Sequence, residues 1–82
     1  MEITLLEQIL KSHLPNCTIT VSGDGHHFQA LIVGSIFDGK NKLARHRLVY
    51  SAVVSYIASG QLHALSLKTY TPEEWKNIQH KE

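Results

Sequence analysis

The sequence predicts an α+β fold in which a three-stranded sheet carries helices on one side. Segments with apolar residues at helical spacing alternate with short segments rich in β-branched residues, in the order α-β-β-α-α-β-α. The first two strand segments are joined by a glycine-rich turn, and the third follows a long helical segment. This order is typical of a hairpin extended by one later strand. The chain of 82 residues is predicted to form one domain, residues 1–82, with a small core.

The first segment predicts an amphipathic helix. Leucine or isoleucine occupies positions 5, 6, 9, 10 and 14, and polar residues fill the opposite face. Thr4 and Glu7 have the spacing of a capping box, which predicts that the helix begins at Thr4. Pro15 follows the last apolar position and predicts the end of the helix.

Two strands are predicted next. Residues 18–22 alternate polar and apolar side chains, whereas residues 28–33 carry apolar side chains on both faces, as expected for a strand that is covered on both sides. Between them, the glycines at positions 23 and 25 flank Asp24 and indicate a turn. We therefore expect a hairpin with its loop centred on residues 24–27.

The middle of the chain predicts a short helical piece at residues 35–37 and one continuous main helix at residues 42–59. Gly60 occupies the position of a left-handed C-cap. The predicted buried stripe of the main helix advances in steps of four and consists of Leu48, Val49, Ala52, Val53, Tyr56 and Ile57.

The C-terminal part predicts a strand and a short helix. Residues 62–69 form the third strand, and Thr71, Pro72 and Glu74 form a capping box with proline at the first helical position. The final helix is expected to carry Trp75 and Ile78 and to fray over residues 79–82.

Composition narrows the classes of function. The net charge is +1, with 43% hydrophobic and 18% charged residues, which is typical of a folded chain. The N-terminus does not have the pattern of a signal peptide, no apolar run is long enough to cross a membrane, and the single cysteine, Cys17, excludes an internal disulfide. We therefore expect a cytoplasmic location, with Cys17 as a half-buried structural thiol.

No catalytic arrangement of side chains is recognised, so the chain is predicted not to be an enzyme.

Six histidines are many for this length, and three of them are candidate metal ligands. His63 opens the third strand and shares the alternation phase of Leu65 and Leu67, although its position at the strand end leaves a ring nitrogen accessible. His26 and His27 lie in the hairpin loop. Two imidazoles supply half of a tetrahedral site and leave positions for a partner's ligands. The alternative is a structural His63 bonded to nearby backbone, with His26 and His27 as ordinary solvated residues.

A basic run surrounds the start of the main helix. It either contacts phosphate groups or forms a solvated helix face, and no aromatic residues interrupt it to stack on bases. The run consists of Lys40, Lys42, Arg45, His46 and Arg47.

Four strings of residues resemble the BolA family, and the form of the first resembles the short, acid-resistance-type bacterial branch. They are VSGDGHHF at 21–28, FDGK at 37–40, RHRLVY at 45–50 and LHALSLKTYTPEEW at 62–75. The resemblance covers nearly the whole chain. It implies a class II KH-like fold with a three-stranded mixed sheet and helices packed on one face.

The same resemblance implies a non-enzymatic partner of a monothiol CGFS glutaredoxin. The two proteins and glutathione would share a [2Fe–2S] cluster for iron–sulfur trafficking or for sensing iron and redox state, and the isolated chain would hold no cofactor and be a monomer or a weak homodimer. The family's ligand histidine falls on His63, and the candidates for the second ligand are His26 and His27, with Asp24 a remote third. The alternative function is DNA-binding transcriptional regulation through residues 40–47, although the Gly-x-x-Gly loop of KH domains is missing.

Overall fold

The computed structural model describes residues 1–79 and confirms the predicted α+β class. Within these residues, no helix is both long enough and apolar enough to cross a membrane. Fraying was predicted for residues 79–82, of which 80–82 lie outside the described part of the chain. The elements are α1 (Ile3–His13), β1 (Thr18–Gly23), β2 (His27–Val33), a 3₁₀ turn (Ser35–Phe37), α2 (Lys42–Ser51), α3 (Val54–Ala58), β3 (Ala64–Tyr70) and α4 (Pro72–Gln79).

The sheet is mixed, as predicted, and β2 is its central strand. β1 pairs with β2 in an antiparallel hairpin, and β3 pairs with the other edge of β2 in a parallel arrangement. Two parallel neighbours need a long connection that returns the chain to the same end of the sheet. Here the 3₁₀ turn, α2 and α3 provide that connection.

Only one face of the sheet is buried. Leu31 and Val33, on the opposite face of β2, are only half-buried, so the expectation that residues 28–33 are covered on both sides is wrong. The strand is central because its backbone is paired on both edges, whereas the core lies on a single side. The buried side chains of the strands are Ile19, Val21, Phe28, Ala30, Ile32, Leu65, Leu67 and Thr69.

Helix α1 covers this face with Leu6, Leu10 and the C-cap residue Leu14, all of which are buried. The helix begins at Ile3, before Thr4, so the predicted Thr4–Glu7 capping box is wrong. Met1 packs against the core, and the chain therefore enters the helix earlier than the polar spacing predicts.

The predicted continuous helix at residues 42–59 is wrong, because it is interrupted between Ser51 and Val54. The amides of Ala52 and Val53 donate to carbonyls three residues earlier, which tightens the turn. Val53 is fully buried by this change, whereas Val54 and Ile57 are 62% and 42% exposed. Adjacent β-branched residues at 53 and 54 restrict helical rotamers, which favours the break.

Helix α4 begins with the predicted capping box. The hydroxyl of Thr71 accepts from the amide of Glu74 at 3.1 Å, and the Glu74 carboxylate accepts from the amide of Thr71 at 2.9 Å. Trp75 packs against Tyr70 with 5.5 Å between ring centroids. Ile78 is 40% exposed, so the helix depends on its N-terminal contacts for its position.

Candidate functional site

The candidate metal ligands lie at the N-terminal ends of two paired strands. His27 opens β2 and is the register partner of Ala64, which opens β3. Neighbouring strands are about 4.8 Å apart, so His63, one residue before Ala64, lies beside the hairpin loop. The fold therefore places His27 and His63 at the same end of the sheet, with His26 next to His27 in the chain, and their joint role as metal ligands stays a prediction.

Asp24 shapes the loop that carries two of these histidines. One oxygen of its carboxylate accepts from the backbone amides of His26 and His27, at 2.9 and 2.8 Å. The Asp24 amide in turn donates to the carbonyl of His27 at 3.2 Å. The backbone hydrogen bonds from His27 and His26 lower the pKa of the Asp24 carboxyl, because they favour its charged form. The loop is thus ordered by an acidic residue at its start.

Two glycines allow the chain to turn this tightly. A Cβ atom on Gly23 would lie 2.4 Å from the carbonyl oxygen of His27, which is too close for any side chain. Gly25 has a φ of +95°, in the left-handed region that favours glycine, although the space beside it is open. Gly23 is therefore required by close packing and Gly25 by backbone conformation.

The two loop histidines differ in their surroundings. Nδ1 of His27 lies 4.0 Å from the second carboxylate oxygen of Asp24, and the His27 side chain is 81% exposed. A carboxylate beside one ring nitrogen is a common way to orient a metal-binding histidine through its other nitrogen. His26, by contrast, lies in the bend before β2 and is exposed, and it contacts Asp24 through its backbone amide. Both loop histidines remain candidates for the second ligand.

His63 is held by buried neighbours while remaining exposed itself. Leu62, which is 1% exposed, donates its amide to the carbonyl of Tyr56 at 3.0 Å, and the Tyr50 hydroxyl donates to the carbonyl of Leu65. His63 precedes β3 and does not share the burial of Leu65, so the predicted common face ends at the strand. Within residues 1–79, no hydrogen bond involves the His63 ring, and the structural-histidine alternative therefore gains no support.

This arrangement fits a metal that is completed by another molecule. Exposed imidazoles with accessible ring nitrogens are suitable ligands for iron, including iron in a cluster. In the described part of the chain, no three His, Cys, Asp or Glu side chains are grouped to hold a metal ion. The site thus offers imidazole donors from two chain segments.

Cys17 directly precedes β1, at the end of the strand that is remote from the hairpin loop. It packs on Gly34, and a Cβ atom added to Gly34 would lie 2.3 Å from the Cys17 sulfur. Burial raises the pKa of the Cys17 thiol. The predicted role as a half-buried structural thiol is consistent with this environment.

The basic run is divided by the fold. A cleft of about 850 Å³ lies beside the C-terminal half of β3. The residues of the basic run line this cleft except for Arg47, which lies outside it. The residues of β3 that line the cleft begin at Leu67, four residues after His63, so the cleft begins about 13 Å along the strand from His63. Members of the run that line the cleft are Lys40, Lys42, Arg45 and His46, joined there by Lys68.

Arg45 is engaged within the protein. Its guanidinium donates to both carboxylate oxygens of Glu74, at 2.6 and 3.1 Å, and to the carbonyls of Lys40 and Thr69, at 2.8 and 3.3 Å. The side chain is only 12% exposed. The expectation that Arg45 contacts phosphate is therefore not supported, because four of its five N–H donors already have partners. DNA binding by the other basic residues stays a prediction.

Sequence reasoning missed two structural roles. Asp24 was assigned to a turn and to a remote place among the metal-ligand candidates, but its carboxylate was not predicted to bond the loop amides, although a short acidic side chain between two glycines is a recognisable signal for an Asx turn. Glu74 was explained by capping alone, and its pairing with Arg45 joins residues 29 positions apart without any local sequence signal.

Comparison with known proteins agrees with the resemblance in the sequence. A family model for BolA-like protein matches residues 1–74. The chain is 41% identical over 75 residues to Acid stress protein IbaG of Escherichia coli strain K12, covering 92% of this chain and 89% of that protein. It is 38% identical over 58 residues to the DNA-binding transcriptional regulator BolA of the same strain, covering 71% of this chain and 54% of that protein. Neither name denotes an enzyme.

A solved structure extends the agreement to the fold. The BolA protein homologue from Coxiella burnetii superposes with a TM-score of 0.82 at 42% identity, over 93% of this chain and 97% of that one. Sequence, family model and fold therefore agree over the same residues. The chain belongs to the BolA-like protein family.

Proposed function

We propose that this chain is a non-enzymatic adaptor that binds a monothiol CGFS glutaredoxin with glutathione and supplies histidine ligands to a shared [2Fe–2S] cluster. The complex would serve iron–sulfur trafficking or the sensing of iron and redox state. One observation carries the proposal: exposed histidines stand at the N-terminal ends of two paired strands, with His26 and His27 at the start of β2 and His63 directly before β3.

The chemistry of these ligands suits a transferable cluster. Histidine ligation raises the reduction potential of a [2Fe–2S] centre above that of an all-cysteine centre. An imidazole must also be unprotonated to bind a metal, so acidification weakens the bond. In this proposal the partner brings the cluster as its cargo. The adaptor supplies exposed imidazole ligands that can be protonated.

The position of the ligands also suits a partner protein. His63 lies between buried anchors, and the loop is ordered by Asp24, so both segments are held in place before a partner arrives. A preorganised edge loses less conformational entropy on binding than a disordered one.

The test is anaerobic mixing with a glutaredoxin that carries its cluster and glutathione. We expect a stable complex on size exclusion, with altered visible absorption and circular dichroism and with iron and sulfide in the complex. His63→Ala should abolish the spectral change, and one of His26→Ala and His27→Ala should weaken it. His13→Ala removes an exposed histidine from α1 and should leave the spectra unchanged.

Two results would count against the proposal. The first is the absence of any complex under conditions in which the glutaredoxin retains its cluster. The second is a complex whose spectra are the same for the wild type and for His63→Ala, because the cluster would then be held without the proposed ligand.

DNA-binding regulation stays a second prediction. The similarity to the regulator BolA supports this prediction. Arg45 does not support it, because its guanidinium is paired with Glu74. Binding through lysine–phosphate contacts should weaken steeply as salt is added. Affinity for duplex DNA that does not change with salt would contradict it.

A further inference from the structure

The cleft beside β3 concentrates positive charge. Four cationic residues and one acidic residue line it, a formal excess of three positive charges, whereas the whole chain carries +1. The charged residues that line it are Lys40, Lys42, Arg45, Lys68 and Glu74.

Most of this excess has no internal partner. Arg45 and Glu74 neutralise each other, and none of the ion pairs formed within residues 1–79 includes Lys40, Lys42 or Lys68. The first turn of α2 contains no acidic residue. Cations near a helix N-terminus are disfavoured by the helix dipole, so α2 carries Lys42 in its first turn at an energetic disadvantage.

The size of the cleft suits a small ligand. Its volume of about 850 Å³ lies within the range of sites that bind small molecules. Leu67, Thr69, Tyr70 and Ile78 line it as well, so that apolar surface lies beside the lysines.

We propose that this cleft binds a small phosphate-bearing molecule, with the phosphate held by Lys40, Lys42 and Lys68. Lysine ammonium groups are common phosphate ligands and act as point charges without a fixed geometry. The apolar lining would contact the organic part of such a molecule. The inference does not depend on the cluster proposal, because the cleft lies at the other end of β3 from His63.

The test is titration of the full-length protein with inorganic pyrophosphate at neutral pH and low salt, followed by amide chemical shifts. We expect saturable shifts at Lys40, Lys42 and Lys68. Lys42→Ala and Lys68→Ala should each weaken binding by about tenfold, because each removes a charge-assisted contact. Lys11→Ala removes a lysine of α1 that is paired with Glu7, and it should leave the affinity unchanged. All these lysines are exposed, so the variants should give well-dispersed spectra.

A parallel titration with a short DNA duplex at equal phosphate concentration distinguishes the source of phosphate. Saturable binding of pyrophosphate that is lost in Lys42→Ala and Lys68→Ala supports the proposal. Shifts with the duplex but none with pyrophosphate would overturn it in favour of a nucleic-acid backbone. Pyrophosphate shifts that do not saturate, or that persist unchanged in both lysine variants, would overturn it as well.

Discussion

The guanidinium of Arg45 and the carboxylate of Glu74 form two hydrogen bonds, at 2.6 and 3.1 Å, that join α2 to α4. Glu74 also belongs to the capping box with Thr71, and Arg45 also reaches the carbonyl of Thr69 in β3. One paired contact therefore connects two helices and the end of an edge strand. This contact holds α4, which buries no residue of its own.

Replacing Arg45 with lysine should destabilise the protein although the charge is kept. Lysine cannot donate to both oxygens of Glu74 and also to the carbonyls of Lys40 and Thr69. We expect the free energy of unfolding to fall by about 1–2 kcal/mol in urea denaturation. Arg47→Lys is the matched control, because Arg47 is exposed, and an equal loss in both variants would contradict this role for Arg45.

The same pair predicts the behaviour of the protein in acid. The hydrogen bond from Arg45 and then that from the Thr71 amide lower the pKa of Glu74 from its ordinary 4.5 to about 2. The folded state therefore binds this proton less readily than the unfolded state. The stabilisation is complete above the unfolded value and is lost as pH falls from about 4.5 towards 2.

Glu74→Gln should remove this part of the acid dependence when the urea midpoint is measured across that pH range. Glu73→Gln removes a charge from the same turn of α4 and should retain the wild-type dependence on pH. An unchanged slope in Glu74→Gln would mean that other carboxylates determine the stability in acid.

The two glycines of the hairpin should respond differently to alanine. Gly23→Ala places a Cβ against the carbonyl oxygen of His27 and should cost at least about 2 kcal/mol of stability, because backbone must move. Gly25→Ala meets open space and should cost only about 1 kcal/mol, from its left-handed φ. Thermal unfolding of both variants tests the difference, and a larger loss at Gly25 would contradict the close-packing role of Gly23.

Asp24 should control the order of the histidine loop. Asp24→Ala removes the acceptor for the amides of His26 and His27, and we expect these amides to exchange with solvent roughly tenfold faster. Asp24→Asn retains a side-chain oxygen and should preserve most of the protection. Hydrogen-exchange NMR measures both, and equal protection in the alanine variant would show that the glycines alone order the loop.

His46 predicts a second dependence on pH, closer to neutrality. Burial and then the nearby charge of Lys42 lower the pKa of His46 below its ordinary 6.5. The unfolded state therefore binds this proton more readily, and stability should decrease as pH falls through about 6.5. His46→Gln should flatten this part of the profile in urea denaturation, whereas His13→Gln should not. Identical profiles for His46→Gln and the wild type would contradict the prediction.

Patterns of residues close together in sequence predicted the structural elements that depend on such residues alone. The β1–β2 hairpin follows from alternation and the Gly23–Gly25 turn, and the start of α4 follows from the spacing of Thr71 and Glu74. The approach of the loop histidines to His63 required a parallel pairing of β2 with β3. The sequence signal for that pairing came from the family resemblance, because periodicity does not reveal which strands are neighbours.

Features that depend on tertiary packing were predicted wrongly or missed. The apolar stripe at residues 42–59 fits a continuous helix, and only the burial of Val53 shows why the helix breaks before Val54. Arg45 looked like a surface cation because its partner is far away in sequence. Composition likewise does not reveal that the sheet has one open face, since Leu31 and Val33 are as apolar as their buried neighbours.

If the cluster is bound as proposed, the parallel pairing of β2 with β3 also determines when its iron can be captured. His27 opens β2 and His63 directly precedes β3, and these strands become neighbours only after the whole crossover connection has closed. Such long-range closure is slow compared with hairpin formation. A nascent chain that has formed only its hairpin offers an incomplete set of donors. Iron held by both segments would therefore select the finished topology, and its release would accompany any fluctuation that separates the two strand ends.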